Sequence, residues 1–232
     1  YADPSAAMCH DKTSWIVHPA HGEWRAMLAV NLLGEPRLQI ADDERHIGVH
    51  IPERGLALIG YLVYTRQPCA RREAAQLLWS GRPHNAAQTN LRQLLKRIKQ
   101  SFPYGFVWDD QEVDWAPALP WTCDLRQFEL TLHLTRQELG PARHRPAASS
   151  HTDAVDSSEE TVPIRLNADT YSGLQAAIDL FRSDFLNGLE LDDSPAFAEW
   201  LYARREELRQ KLLWATSLTA RHSLANHDFL PG

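Results

Sequence analysis

Cysteine is scarce in this 232-residue sequence, and long apolar runs are missing. Cys9, Cys69 and Cys123 are odd in number and far apart, which favours reduced thiols in a cytosolic compartment over a disulfide scaffold. They also lack the short spacing of a paired-cysteine zinc site. No apolar run approaches the roughly 20 residues that span a bilayer, and no secretory signal pattern opens the chain. We expect a cytoplasmic globular protein with no membrane partner.

Signatures of catalysis are also missing. The glycines that interrupt the helical patterns stand alone, so there is no glycine-rich phosphate loop. His18, His21 and Cys9 have no fourth ligand at a usable spacing, and exposed histidines in a tail are the simpler interpretation. Asp192 and Asp193 precede a helix start, which favours capping over a catalytic dyad. We predict no enzymatic activity, no cofactor and no metal, with a metal-dependent enzyme as the weakest alternative.

Charge is plentiful and unevenly distributed. The net charge of −6 argues against a polycation that coats nucleic acid. From Arg66 to Lys99, however, there are eight basic residues and one acidic residue. From Asp153 to Glu199 there are eleven acidic residues and two basic ones. The first stretch can attract phosphate, whereas the second would be repelled by it.

The first half of the chain alternates between strand and helix patterns. Residues 1–25 have no clear periodicity and are predicted to be a linker or tail. Three short apolar runs, at 27–33, 37–40 and 47–51, predict a small antiparallel sheet. Helical spacing follows over 55–64 and over 71–79, where Trp79 is expected in the core. Because the chain starts at Tyr1 rather than Met and stops directly after a predicted helix, we expect a segment of a longer protein.

The strongest local signals belong to a helix predicted from Asn85 to Phe102. Asn85 is expected to cap its start, with Gln88 as the reciprocal partner of a capping box. One stripe of the helix is apolar: Leu91, Leu94, Leu95, Ile98 and Phe102. The other side is polar and cationic: Thr89, Arg92, Gln93, Lys96, Arg97, Lys99 and Gln100. A β-hairpin is predicted next from Phe106–Trp108 and Glu112–Trp115, with a third extended piece near 119–122.

This order of elements is typical of a winged helix-turn-helix over residues 26–122. A helix fits the major groove of DNA, where Arg and Lys neutralise phosphates and Gln and Thr contact base edges. The alternative is that the cationic side of residues 85–102 is only the solvated face of an amphipathic helix. The short helix before it and the hairpin after it favour DNA binding.

The second half, residues 123–232, is predicted to be helical. Amphipathic helices are expected from about Leu125, over 174–185, from Pro195 to Leu212 and over 213–226. The prolines, serines and few apolar residues near 140–168 indicate a mobile insertion. Successive amphipathic helices suggest a stacked, tetratricopeptide-like domain. The predicted fold class is therefore mainly α with small β-sheets.

Three sequence stretches in the first half and three in the second carry a family resemblance. They are Ile51–Leu62, Arg71–Trp79, Ala87–Ile98, Asp124–Glu129, Phe181–Leu201 and Arg204–Leu208. The first half resembles the response-regulator type of winged helix in the antibiotic regulatory proteins of actinomycetes. The second half resembles the bacterial transcriptional activator domain that follows it in that family. The resemblance covers about 200 residues in the right order.

The resemblance implies a transcription activator that binds promoter repeats in double-stranded DNA and contacts RNA polymerase, with homo-oligomers formed on the DNA. The Trp79–His84 loop corresponds to the place of polymerase contact. Arg71 and Arg72 open the supporting helix, where phosphate contact is expected. The full predicted DNA-binding set is Arg71, Arg72, Thr89, Arg92, Gln93, Lys96, Arg97 and Lys99.

The sequence departs from the family pattern at two places. Ala70 stands where the family commonly has a serine cap, a loss of about 1 kcal/mol in a typical helix. The hairpin also bears four carboxylates, Asp109, Asp110, Glu112 and Asp114, which would be repelled by DNA. A second hypothesis follows: the chain is a protein–protein interaction module of a larger signalling protein, and its winged helix no longer binds DNA.

Overall fold

The structure is a computed structural model that describes residues 26–42, 46–140 and 164–227. Over these ranges it is mainly helical with two small sheets, which confirms the predicted fold class at this level. The predicted tail at 1–25 lies outside the described residues. No helix in the described ranges is long and apolar enough to cross a membrane.

The first sheet is formed by β1 (Ala26–Asn31), β2 (Arg37–Asp42), β3 (His46–Val49) and β7 (Trp121–Cys123), in the order β3-β2-β1-β7. The antiparallel pairing of β1, β2 and β3 confirms the predicted N-terminal sheet. The extended piece predicted near 119–122 is β7, and it does not join the sheet of the hairpin. It pairs in parallel with β1, where Leu28 N donates to Pro120 O at 2.8 Å.

Three helices follow the sheet, as the apolar spacing predicts. They are α1 (Glu53–Thr65), α2 (Arg71–Leu78) and α3 (His84–Ser101). Each turns an apolar stripe inward, and the predicted stripe of α3 is buried from Leu91 to Phe102. Trp79 closes α2 and is buried, which confirms its predicted place in the core.

The predicted capping box at the start of α3 is wrong. The helix begins at His84 with Pro83 at the N-cap and no side-chain cap, so Asn85 already lies inside the first turn. Gln88 contacts the His84 ring instead of reaching back to a backbone N–H. Pro83 has no side-chain acceptor, so the first turn of α3 has no side-chain cap.

The hairpin is confirmed, with strands β5 (Phe106–Trp108) and β6 (Glu112–Trp115). A two-residue strand, β4 (Cys69–Ala70), pairs with β6 and completes a sheet of order β4-β6-β5. Because β4 leads directly into α2, this sheet connects the hairpin to the start of the supporting helix.

The second half contains α4 (Asp124–Leu139), α5 (Ala168–Asp179) and α6 (Pro195–His227). Two predictions are wrong here. α5 ends at Asp179, so the helix expected to reach 185 is shorter, and the helices expected on either side of residue 213 are one helix of 33 residues. No glycine or proline interrupts the chain between Pro195 and His227, so nothing in the sequence breaks α6.

The predicted insertion at 140–168 lies outside the described residues from 141 to 163. Ile164 and Leu166, within its predicted range, are buried, and α5 begins at Ala168. The predicted domain boundary between residues 122 and 123 falls inside β7. That strand therefore belongs to the first sheet while leading directly into α4.

The two halves share backbone hydrogen bonds and one hydrophobic core. Leu186 N donates to Leu32 O, and Asn187 N donates to Gly34 O, both at 2.9 Å. The buried Asp124 carboxylate accepts a bond from Leu32 N at 2.8 Å, which joins the start of α4 to the end of β1. The segment after β1 is thus held by residues of the second half.

Candidate nucleic-acid interface

The exposed side of α3 is the most cationic surface that one described element presents. The helix contains four Lys or Arg residues and no acidic residue. All six residues predicted from it to bind DNA are exposed: Thr89, Arg92, Gln93, Lys96, Arg97 and Lys99. Their spacing and the burial of the opposite stripe place them around one side of the helix, which is open to a macromolecular ligand.

One flank of this surface faces the hairpin. The Lys99 ammonium lies 5.5 Å from the centroid of the Trp108 ring, in a cation–π contact. Arg92 and Gln88 line a cleft of about 380 Å³ together with Arg71 and Asp110. Because residues of α3 and of the hairpin turn both line this cleft, a ligand bound in it would contact α3 and Asp110 together.

The other flank faces the first turn of α1. Gln93 and Arg97 line a second cleft, of about 390 Å³, with Glu53, Arg54 and Trp79. Thr89 lies between the two flanks, and its hydroxyl donates to Asn85 O at 2.9 Å. The hydroxyl oxygen can still accept a hydrogen bond.

The two arginines predicted on α2 have different surroundings. Arg72 is exposed, whereas Arg71 is half-buried. The Arg71 guanidinium donates to Asp109 O at 2.7 Å, and its backbone N donates to Gln111 O at 2.8 Å. Arg71 therefore holds the hairpin turn against α2, a role that the sequence does not indicate.

The hairpin carboxylates are not equivalent. The Asp109 carboxylate accepts bonds from Gln111 N at 2.7 Å and Glu112 N at 2.8 Å, so it forms the turn. These hydrogen bonds, with a smaller effect from Arg71, lower the pKa of Asp109. Asp110 and Glu112 are exposed, whereas Asp114 is half-buried. The repulsion expected from the sequence is thus concentrated at Asp110 and Glu112.

The Trp79–His84 loop, predicted to contact polymerase, is partly engaged within the chain. Gly81 N donates to Asp193 O at 3.0 Å, and Arg82 Nε donates to the Asp193 carboxylate at 3.1 Å. Gly81, Arg82, Pro83 and His84 remain exposed on its outer side.

The described residues offer few reactive groups. Among them no three His, Cys, Asp or Glu side chains are grouped so that they could hold a metal ion, and His18, His21 and Cys9 lie outside these ranges. Burial raises the pKa of Cys69 to about 11 and that of Cys123 to about 12. Both thiols are therefore protonated at neutral pH.

Sequence reasoning did not assign two residues to this surface: Gln88, which it predicted only as part of a capping box, and Arg54. Gln88 lies one helical turn before Arg92, so the helical period alone could have identified it. Asp110 was predicted only as one of four hairpin carboxylates, and its place in the cleft beside Arg92 follows from the fold. Arg54 reaches the α2–α3 loop only through the tertiary fold, and no local signal marks it.

Comparison with known proteins found no matching family model and no matching curated protein. Among solved structures, the chain is similar to EmbR of Mycobacterium tuberculosis, determined in complex with a low-affinity phosphopeptide. The identity is 18%, the TM-score is 0.46, and the match covers 87% of this chain and 46% of EmbR. The chain thus spans less than half the length of that protein.

Proposed function

We propose that this chain is a sequence-specific DNA-binding transcription regulator that inserts α3 into the major groove. The observation that carries the proposal is the exposed side of α3, which is cationic and free of carboxylates. In the chain, α3 lies between α2 and the β5–β6 hairpin. Lys96 and Arg97 neutralise phosphates, while Gln93 and Thr89 are placed to contact base edges. Arg92 and Lys99 contact the sugar-phosphate backbone of the DNA on the side of α3 that faces the hairpin.

The finer parts of the proposal come from the family resemblance. They are activation of transcription, binding to promoter repeats, oligomers on DNA and contact with RNA polymerase through the exposed side of the Trp79–His84 loop. The proposed domain arrangement is a winged helix over 26–122 followed by a helical, activator-like domain. We also propose that the protein works in the cytoplasm and is not an enzyme.

The deciding experiment is selection of binding sites from random duplex DNA, followed by titration of the selected site at several salt concentrations. Arg92→Ala and Lys96→Ala should each weaken binding and reduce the slope of log K against log salt by up to about 1. Arg37→Ala is the matched control, because Arg37 is exposed on β2 and pairs with Glu35. Equal binding by all three variants and the wild type would exclude α3 as the recognition helix.

A second candidate function is a protein-interaction module. It is favoured by the exposed carboxylates Asp110 and Glu112 beside the cleft, since they oppose phosphate and suit a basic protein surface. In that case the random pool yields no enriched sequence, and a protein partner binds with an affinity that depends on Asp110.

A further inference from the structure

The loop between α2 and α3 is held by the segment that leads into α6. The Asp193 carboxylate accepts a hydrogen bond from Arg82 Nε at 3.1 Å and pairs with the Arg54 guanidinium through its other oxygen. Arg82 lies in the loop, Arg54 lies in the first turn of α1, and Asp193 comes from the second half of the chain. We call these three residues the Asp193 clamp.

Further hydrogen bonds join the loop and the end of α2 to the same segment. Gly81 N donates to Asp193 O at 3.0 Å, and Ala196 N donates to Ser80 Oγ at 3.1 Å. The buried Ser194 hydroxyl donates to Leu78 O, at the end of α2. A Cβ at position 81 would lie 2.7 Å from Asp193 O, so the two segments approach closely enough to require glycine. The loop therefore contacts the segment before α6 at Ser80, Gly81 and Arg82.

Arg54 connects the clamp to the end of α2, the helix that precedes α3. Its Nη1 donates to Leu78 O at 3.0 Å, and its guanidinium lies 5.0 Å from the centroid of the Trp79 ring. One side chain thus contacts the end of α2, the buried aromatic residue after it and Asp193. α3 starts at His84, two residues after Arg82, so its entry angle depends on where this loop is held.

The charge of Asp193 is stable near neutral pH. Desolvation alone would raise the pKa of Asp193, but the hydrogen bond from Arg82 and the charges of Arg54 and Arg82 outweigh it and lower this pKa. The carboxylate therefore stays ionised and able to accept from both arginines.

We propose that Asp193 is a positioning residue for DNA binding: from the second half of the chain it fixes the α2–α3 loop and so sets the orientation of the recognition helix. The inference rests on the proposed function of α3. It predicts that DNA affinity depends on a carboxylate that itself would repel DNA and lies outside the predicted recognition set.

The test compares Asp193→Ala with Asp192→Ala in the full chain. Both remove one negative charge from the same segment, and Asp192 is exposed. Loss of a negative charge should by itself strengthen DNA binding slightly in both. If the clamp positions α3, Asp193→Ala instead binds the selected DNA roughly five- to tenfold more weakly than Asp192→Ala. Amide hydrogen exchange at Gly81, measured without DNA, should be faster only in Asp193→Ala.

Gly81→Ala disturbs the same contact from the other side and covers the case in which Asp193→Ala does not fold. Its Cβ would meet Asp193 O, so the loop must move away, and the same loss of affinity is expected. A milder form, Asp193→Asn, keeps one acceptor oxygen and should lie between the wild type and Asp193→Ala.

The outcomes separate this inference from the proposed function. If Asp193→Ala and Gly81→Ala bind DNA as tightly as Asp192→Ala while Arg92→Ala binds weakly, α3 remains the recognition helix and the inference is overturned. If Arg92→Ala also binds as tightly as the wild type, the proposed function itself fails and the inference falls with it. Weak DNA binding by both Asp193→Ala and Gly81→Ala, with faster amide exchange at Gly81 in Asp193→Ala, supports the inference.

Discussion

Asp124 is a buried carboxylate that faces backbone N–H groups from two parts of the chain. It accepts from Leu32 N at 2.8 Å, from Leu33 N at 3.1 Å and from Leu125 N at 2.7 Å. Leu32 and Leu33 follow β1, whereas Leu125 lies in the first turn of α4. A single side chain thus satisfies donors at the point where the two halves meet.

We predict that Asp124→Ala and Asp124→Asn both destabilise the fold, and that Asp124→Ala does so more strongly. Asp124→Ala leaves these buried N–H groups without their acceptor, at a cost on the order of 1–3 kcal/mol in the free energy of unfolding. Asn keeps one carbonyl oxygen and should lose less. Urea unfolding measures the difference, with Asp179→Ala as a control because Asp179 is exposed at the end of α5. Equal losses for Asp124→Ala and the control would contradict the assigned role.

The same prediction has a pH dependence. Desolvation raises the pKa of Asp124, although the backbone hydrogen bonds act in the opposite direction. The folded state therefore holds this proton more tightly than the unfolded state, so the contribution of Asp124 to stability is largest below about pH 4 and falls as pH rises through the folded pKa. The stability gap between wild type and Asp124→Asn should be wider at pH 4 than at pH 7. A gap that widens towards pH 7 would mean that hydrogen bonding outweighs desolvation.

Asp110 is the residue whose charge most directly opposes the proposed ligand. It is exposed and shares the cleft with Arg92 and Arg71, where a phosphate would lie. We predict that Asp110→Asn strengthens DNA binding about two- to fivefold at low salt, with less effect at high salt because the repulsion is screened. Asp179→Asn, on α5, is the control of equal charge and should leave the affinity unchanged. Weaker binding by Asp110→Asn would show that the carboxylate makes a favourable contact.

At the scale of elements, α2 lacks a side-chain cap. Ala70 occupies the N-cap with φ −59° and ψ 135°, and no side chain bonds the first N–H groups of the helix. Ala70→Ser should raise the free energy of unfolding by about 1 kcal/mol, because a serine hydroxyl can accept from that first turn. Ala203→Ser, exposed within α6, should instead lower it by up to about 0.5 kcal/mol through helix propensity. Thermal or urea unfolding checks both, and a loss at position 70 would mean that the hydroxyl finds no helix N–H.

The elements that could be predicted are those with a clear local period. The apolar stripe of α3 was sufficient to place that helix, and the two short runs on either side of Asp109 and Asp110 were sufficient to place β5 and β6. The pairing of β7 could not be predicted, because its partner β1 lies about ninety residues earlier and a parallel pairing leaves no turn signal in the sequence. The sequence prediction divided α6 at residue 213, although no glycine or proline breaks the chain there.

The residues of the candidate site also fall into two groups: those assigned from the sequence and those that only the tertiary fold brings together. The exposed side of α3 follows from the helical period, so Arg92, Gln93 and Lys96 could be assigned from sequence. Arg71 was assigned to phosphate contact because it opens α2, but its guanidinium is bonded to the hairpin turn. The Asp193 clamp joins residues 111 and 139 positions apart, and only the tertiary fold brings them together.

At the scale of the whole molecule, the two halves meet through close packing as well as hydrogen bonds. Gly60 on α1 faces Leu186, and a Cβ at Gly60 would lie 2.7 Å from Leu186 Cδ1. Leu186 is fully buried and held at φ 50°, a conformation that L residues rarely adopt. Tyr64, one turn later on α1, contacts the ring of Phe185 at a centroid distance of 5.9 Å. A methyl group at position 60 would thus force the buried Leu186 side chain to move.

This packing predicts opposite effects for two helical glycines. Gly60→Ala should lower the free energy of unfolding by roughly 1–3 kcal/mol, because the strain of overpacking against Leu186 exceeds the gain in helix propensity. Gly173→Ala on α5 meets nothing closer than 3.9 Å and should raise it by up to about 1 kcal/mol. Far-UV circular dichroism and tryptophan fluorescence in urea should give one coincident transition for each variant, since the core is shared. If Gly60→Ala unfolds the two halves in separate steps, their stability does not depend on each other; if it stabilises the chain, Leu186 has room to move.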